Sequence, residues 1–204
     1  MLIVDAHEDI AYNALRYNRD YSTSALNIRS AESNSQNVLA NGLACLGHDE
    51  WLSGHVGIIF ATLFSPPYSH YSGDSAKMYY QNSDQAHKLA HNQLDYYLHL
   101  EEKDDFQIIR NLSELEFVIT SWDENNNRKP VIGLVLLMEG ADPIRSPGEV
   151  EYWHKNGVRI IGPAWAGTNY CGGTGDPGPL TNLGEELLEN MADIQMILDV
   201  SHMS

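Results

Sequence analysis

Four side chains in this 204-residue sequence combine the chemistry and the placement needed to grip a divalent cation. His7 and Asp9 stand two apart at the end of the first apolar run, and strand alternation puts them on one side. Glu139 follows directly on the apolar stretch Val131 to Met138, and His202 closes the segment Leu198-Asp199-Val200-Ser201-His202. Imidazole nitrogens and carboxylate oxygens together make a ligand set suited to zinc and similar metals. A polar residue at the end of one strand is ordinary. Four of matching chemistry, each at such an end, mark a candidate metal site.

The segments that must position them alternate between strand-like and helix-like. Leu2 to His7, Val56 to Phe64, Val131 to Met138, Val158 to Trp165 and Met196 to Val200 read as five main strands, with a short Phe106 to Ile109 segment besides. Val131 to Met138 is apolar almost throughout, as suits a strand covered on both faces of a parallel sheet. Ser83 opens a helix whose stripe is Ala86, Leu89, Ala90, Leu94, Tyr97 and Leu98. Ser113 with Glu116, and Ser146-Pro147 with Glu149, read as capping boxes for two further helices, the second stopping at Gly157. A helix around 184 to 195 precedes the last strand, residues 17 to 54 read as a long Asn- and Ser-rich excursion, and 171 to 179 reads as a flexible Gly/Pro loop.

Strand and helix in turn are the signature of an α/β protein, and carboxyl ends of parallel strands are where such proteins build their sites. An eight-stranded (β/α) barrel takes ~250 residues, so five βα units at about forty residues each make an open sheet or an incomplete barrel of TIM type. With no internal repeat, residues 1–204 read as a single domain.

Acidic residues number 28 against 12 basic ones, a formal net charge of −16. Nucleic acid and anionic membrane surfaces demand the opposite sign, so neither is an expected partner. No run approaches the ~20 apolar residues of a membrane span, and the N-terminus lacks the basic and apolar regions of a signal peptide. The expected location is cytoplasmic, with Cys45 and Cys171 as free thiols.

Asp5-Ala6-His7-Glu8-Asp9 resembles the opening motif of the membrane (renal) dipeptidase family, peptidase family M19, and Met138-Glu139-Gly140-Ala141 is similar to its E-G-G/A strand end. Gly157-Val158-Arg159, Leu180-Thr181-Asn182-Leu183-Gly184 and Leu198 to His202 resemble further segments of that family, in the same order. The resemblance implies a (β/α)8 metallohydrolase that cleaves dipeptides with a water shared by two zinc ions. On that reading His7 and Asp9 hold one ion, Glu139 bridges both, and His202 is one of two histidines on the second. The family's other histidine, a substrate-binding arginine and a proton-transferring aspartate fall past Ser204, so the second site is half present and the chain is expected to be an N-terminal portion or a truncated relative. Trp165 stands near a position that carries a substrate-contacting histidine in many members, which makes it a candidate substrate contact and loosens the preference for dipeptides. The ligand histidines must be neutral, so activity should fall in acid. The alternatives are another metal-dependent barrel hydrolase acting on amides, esters or lactones, and a catalytically silent metal-binding form that associates with itself or a partner through open barrel edges.

Other signals carry less. Gly173-Thr174-Gly175-Asp176-Pro177-Gly178 matches G-x-G-x-x-G, but Pro177 and Pro179 forbid the helix that would hold a pyrophosphate. His87 and His91 lack the glutamate of H-E-x-x-H and read as exposed helix residues. Glu101-Glu102-Lys103-Asp104-Asp105 opposes its helix dipole and reads as a frayed end. Ser201 beside His202 lacks a nucleophile elbow. Asp5, on the His7 face by alternation, is either a group that orients that imidazole or a strand-start residue bonded to backbone.

Overall fold

Five parallel strands lie side by side in their order along the chain. The computed structural model describes residues 1–70, 78–125 and 127–204. Its strands are β1 (Ile3–Glu8), β2 (Val56–Phe64), β3 (Phe106–Ile108), β4 (Ile132–Glu139), β5 (Val158–Gly162), β6 (Cys171–Gly173), β7 (Asp176–Leu180) and β8 (Ile197–Leu198). The main sheet runs β1-β2-β4-β5-β8, with β3 paired to the start of β4. Among the described residues, eight α-helices intervene: α1 (Ile10–Tyr17), α2 (Ala25–Glu32), α3 (Asn37–Asn41), α4 (His48–Ser53), α5 (Ser83–Glu101), α6 (Leu112–Ser121), α7 (Val150–Lys155) and α8 (Asn182–Asp193). Sequential parallel neighbours joined through helices are the (β/α) barrel arrangement, here with two open edges.

The pairing of β2 with β4 sets the geometry. Ile58 faces Gly133 and the register continues without a slip to Phe64 opposite Glu139. Ile59, Ala61 and Leu63 therefore share a face with Leu134, Leu136 and Met138, and all six are buried in one core. Against them pack Ala90, Leu94 and Tyr97 of α5, Trp153 of α7, and Leu187 and Met191 of α8. Of the stripe read in α5, Ala86, Ala90, Leu94 and Tyr97 are buried, Leu89 and Leu98 are half-buried, and Gln93 and Leu100 are buried besides. Burial of each such side chain stabilises the fold by about 1.5–3 kcal/mol.

The opposite face carries Val4, Ile58, Phe60, Val135, Ile160 and Ile197, which line an open apolar groove of about 410 Å³. Val118 of α6 packs on Ile58 and Ile109 at the groove's lower end. Both edges remain uncovered: Val4 is 52% and Ile197 56% exposed.

Several local expectations are corrected. Residues 17 to 54 hold three helices; α2 is capped by Ser24, whose side chain accepts from the Asn27 N–H, and the segment is tied by the buried Arg19–Glu32 ion pair at 2.9 Å. The cap of α6 is Asn111, which accepts the Glu114 N–H, so Ser113 lies inside the helix. Ser146 makes no side-chain cap bond; Glu149 instead accepts the Arg145 N–H at 2.8 Å. The Gly/Pro segment forms the antiparallel hairpin β6–β7, in which a Cβ on Gly172 would stand 1.9 Å from the Gly178 nitrogen, so only glycine fits. The acidic end of α5 is held: both oxygens of Glu101 receive Arg110. His87 and His91 are half-buried between α5 and α7, with His87 against Trp153 at 5.1 Å and His91 bonded to the Tyr152 hydroxyl.

Candidate metal centre

All four candidate ligands meet at the carboxyl ends of β1, β4 and β8. Glu139 is the last residue of β4 and is only 6% exposed. Gly140 then turns the chain away at φ +88°, a conformation that favours glycine, and donates its N–H to Gly162 at 3.0 Å. The two oxygens of Glu139 face different histidines: Oε2 lies 3.5 Å from His7 Nε2, and Oε1 lies 3.2 Å from His202 Nε2. Asp9 Oδ1 stands 3.7 Å from His7 Nε2. One ligand atom from each of His7, Asp9 and Glu139 falls within 4.8 Å of the others. His202 joins this group through Glu139.

Two hydroxyls that the sequence reading passed over hold these ligands. Thr62, fully buried in β2, donates to Asp9 Oδ1 at 2.5 Å. Thr174, in the β6–β7 hairpin, lies 2.9 Å from His202 Nδ1. With Nδ1 donating there, Nε2 keeps its lone pair for a cation. Thr62 had a signal, as the lone hydroxyl in an otherwise apolar strand.

Asp5 takes the backbone-bonded of its two expected places. The β1–β2 register slips between Asp5 and Glu8, and Asp5 accepts the backbone N–H of His7 at 3.1 Å. Its carboxylate fixes the strand rather than the ring. Glu8 points away from the cluster and receives the Trp51 indole N–H at 3.1 Å. Burial, with Asp5 nearby, pushes its carboxyl up to about 8 despite that bond.

The electrostatics favour a cation. The hydrogen bond with Glu139 raises the His7 imidazole above its usual range, burial opposes this, and the charges of Glu139, Asp9 and Asp199 add to it. Burial and the Glu139 charge raise the Asp9 carboxyl against the Thr62 bond. Carboxylates so close raise one another's cost, and a divalent ion relieves it. Two imidazoles and two carboxylates, with neutral nitrogens attainable, fit zinc or a metal of similar preference.

Aromatic rings flank the cluster. Tyr12 meets Phe64 edge-on at 5.1 Å, Phe64 meets Trp165 at 5.1 Å, and Trp165 lies 6.4 Å from the His202 ring. His70 also packs on Trp165 at 5.1 Å. Trp165 thus stands beside the candidate ligands, half-buried.

The rejected signals find structural roles. Ser201 gives its N–H to Asp199, and both ring nitrogens of His202 are engaged elsewhere, so no nucleophile–base pair forms. The glycine-rich run is the hairpin, not a helix start. Both cysteines are free. Among the described residues no helix is long and apolar enough to cross a membrane.

The model of the membrane dipeptidase family (peptidase family M19) matches residues 1–204. An uncharacterised protein of Acinetobacter calcoaceticus, from the 3′ region of PQQ-III, is 29% identical over 168 residues, 74% of this chain and 51% of that protein. The fold is similar to that of dipeptidase AC, a metallopeptidase of family M19, with a TM-score of 0.71 at 19% identity over 99% of this chain and 56% of that one. It is also similar to the probable dipeptidase PvdM of Pseudomonas aeruginosa, with a TM-score of 0.73 at 15% identity over 100% of this chain and 47% of that one. The chain spans about half the length of these relatives.

Proposed function

From its membership of the membrane dipeptidase family, to which this chain belongs, we propose that it carries the metal-binding part of a zinc-dependent dipeptidase. The observation that supports this reading is the buried Glu139 carboxylate, with one oxygen toward His7 and the other toward His202. A pair of divalent ions, when bound, supplies an acidified water and polarises the scissile carbonyl. His7, Asp9 and Glu139 would hold one ion, and Glu139 with His202 would serve the second. The residues themselves do the rest. Thr62 and Thr174 fix a carboxylate and an imidazole. Glu139 would set the separation of the two positions, one oxygen toward each histidine. The rings of Phe64 and Trp165 exclude water from one flank and offer an apolar contact to substrate.

The test is Glu139→Ala with a panel of L,L- and L,D-dipeptides, amides and lactones. Loss of zinc uptake together with loss of dipeptide turnover supports the reading. Turnover unchanged in that variant overturns it. A second reading draws on the ligand count: among the described residues, Glu139 and His202 are the candidate ligands for a second ion, which fits metal binding without hydrolysis. One tightly held zinc per chain and no turnover of any substrate would favour that form, whereas turnover confined to amides or lactones would shift the substrate class.

A further inference from the structure

We infer that Thr62 is a positioning residue for the first metal position, fixing the carboxylate of Asp9 through its hydroxyl. This rests on the reading of His7 and Asp9 as cation ligands.

Thr62 is the one side chain in Val56–Phe64 that carries a hydroxyl, and it has no exposed surface. Its Oγ1 lies 2.5 Å from Asp9 Oδ1 and 3.3 Å from the Glu8 carbonyl oxygen. A hydroxyl has one proton, and a carboxylate at the shorter distance is the stronger acceptor. The bond therefore goes to Asp9 and restricts rotation of its carboxyl group about the terminal torsion, which is otherwise broad. The threonine is itself held. Its carbonyl accepts the Tyr97 hydroxyl at 2.9 Å, and that same hydroxyl accepts the Ala11 N–H at 3.1 Å. Tyr97 is fully buried in α5. The chain of contacts thus runs from α5 through β2 to the residue that follows β1, so Asp9 is set by three elements rather than by its own loop. Asp9's backbone carbonyl is tied as well, accepting from the Asn13 side chain at 2.8 Å. With main chain and Oδ1 both held, that same oxygen stands 3.7 Å from His7 Nε2, with a second lone pair left to accept. Outer partners of this kind change metal affinity by about 10- to 100-fold when removed.

Thr62→Val keeps the branched shape and deletes the hydroxyl, whereas Thr62→Ser keeps the hydroxyl and deletes the methyl. The metal-stripped 204-residue chain is titrated with zinc against a chromophoric chelator, and with cobalt(II) by its visible spectrum. The expected result is about 10- to 100-fold weaker binding at the tighter site in T62V and an altered cobalt spectrum, with T62S close to wild type. Should T62V fail to fold, Thr62→Ala against Thr62→Ser makes the same comparison of hydroxyl absent and present. Equal affinity in T62V and wild type overturns the inference, as does equal weakening in T62S and T62V, which would assign the effect to packing. A wild-type chain that takes up neither ion overturns the underlying metal reading instead, so the two failures are distinct.

Discussion

Glu101 and Glu139 are both carboxylates held by cationic or imidazole groups, yet only the second stands among possible metal ligands. Burial pushes the Glu101 carboxyl up, but the Arg110 fork and the Ile108 N–H outweigh it, leaving it below its ordinary value of 4.5. The sign follows: the pair's contribution is complete above the ordinary value and disappears as pH falls through the lower folded one. Glu101→Gln should therefore cost about 1–2 kcal/mol at neutral pH, and denaturant melts of variant and wild type should converge as pH falls through the folded value. Equal stability at neutral pH would show the pair to be idle. At the metal cluster the same scale of reasoning explains what sequence can and cannot reveal. His7, Asp9, Glu139 and His202 were singled out because their chemistry falls at or just past expected strand ends, and the structure brings them together, with His202 in a turn four residues beyond β8. Thr62 gave a fainter signal, since a β-branched residue in a strand looks like packing until its partner is known. Asp5 left two readings open, and its bond to the His7 N–H selects the backbone-bonded one.

Elements were legible where burial on both faces imposed a continuous apolar run, as in β2 and β4, or a clean helical stripe, as in α5. They were hidden where tertiary contacts do the work. The helices within residues 17 to 54 are short and polar, held by the Ser24 cap, the Arg19–Glu32 pair and Trp51 seated on Tyr21 and Phe106. Local periodicity carries little of that. The β6–β7 hairpin likewise depends on glycines that let two backbones touch. Across the elements, Tyr97 is the clearest fastener, since its hydroxyl links α5 to both Ala11 and Thr62. Tyr97→Phe leaves the ring packed and strands two buried backbone groups, at a cost of about 1–3 kcal/mol. Chemical unfolding measures that loss, and amide exchange at Ala11 should rise above that of amides elsewhere in α1. A melt indistinguishable from wild type would mean that water or another group satisfies both sites.

The whole molecule presents two opposing tendencies to its surroundings. A net charge of −16 repels copies of the chain from one another. Against that stand the open edges of β1 and β8 and the apolar groove of about 410 Å³ that spans the five strands. An uncovered parallel edge offers unpaired backbone groups, and the groove adds apolar area that water solvates poorly. Coulomb repulsion between exposed charges is screened over about 10 Å at 0.1 M salt, whereas burial of apolar surface is not weakened by salt. Association through these edges should therefore grow as salt is added, the reverse of what an ion-paired interface would do. Light scattering of the purified chain over rising sodium chloride measures this, with the mass per particle expected to increase. Val4→Lys together with Ile197→Lys places a charge on each edge strand, both at exposed groove positions, and should hold the chain monomeric at the same salt. A wild-type particle that stays monomeric throughout, or a double variant that associates as readily, would show that the groove and edges do not drive assembly.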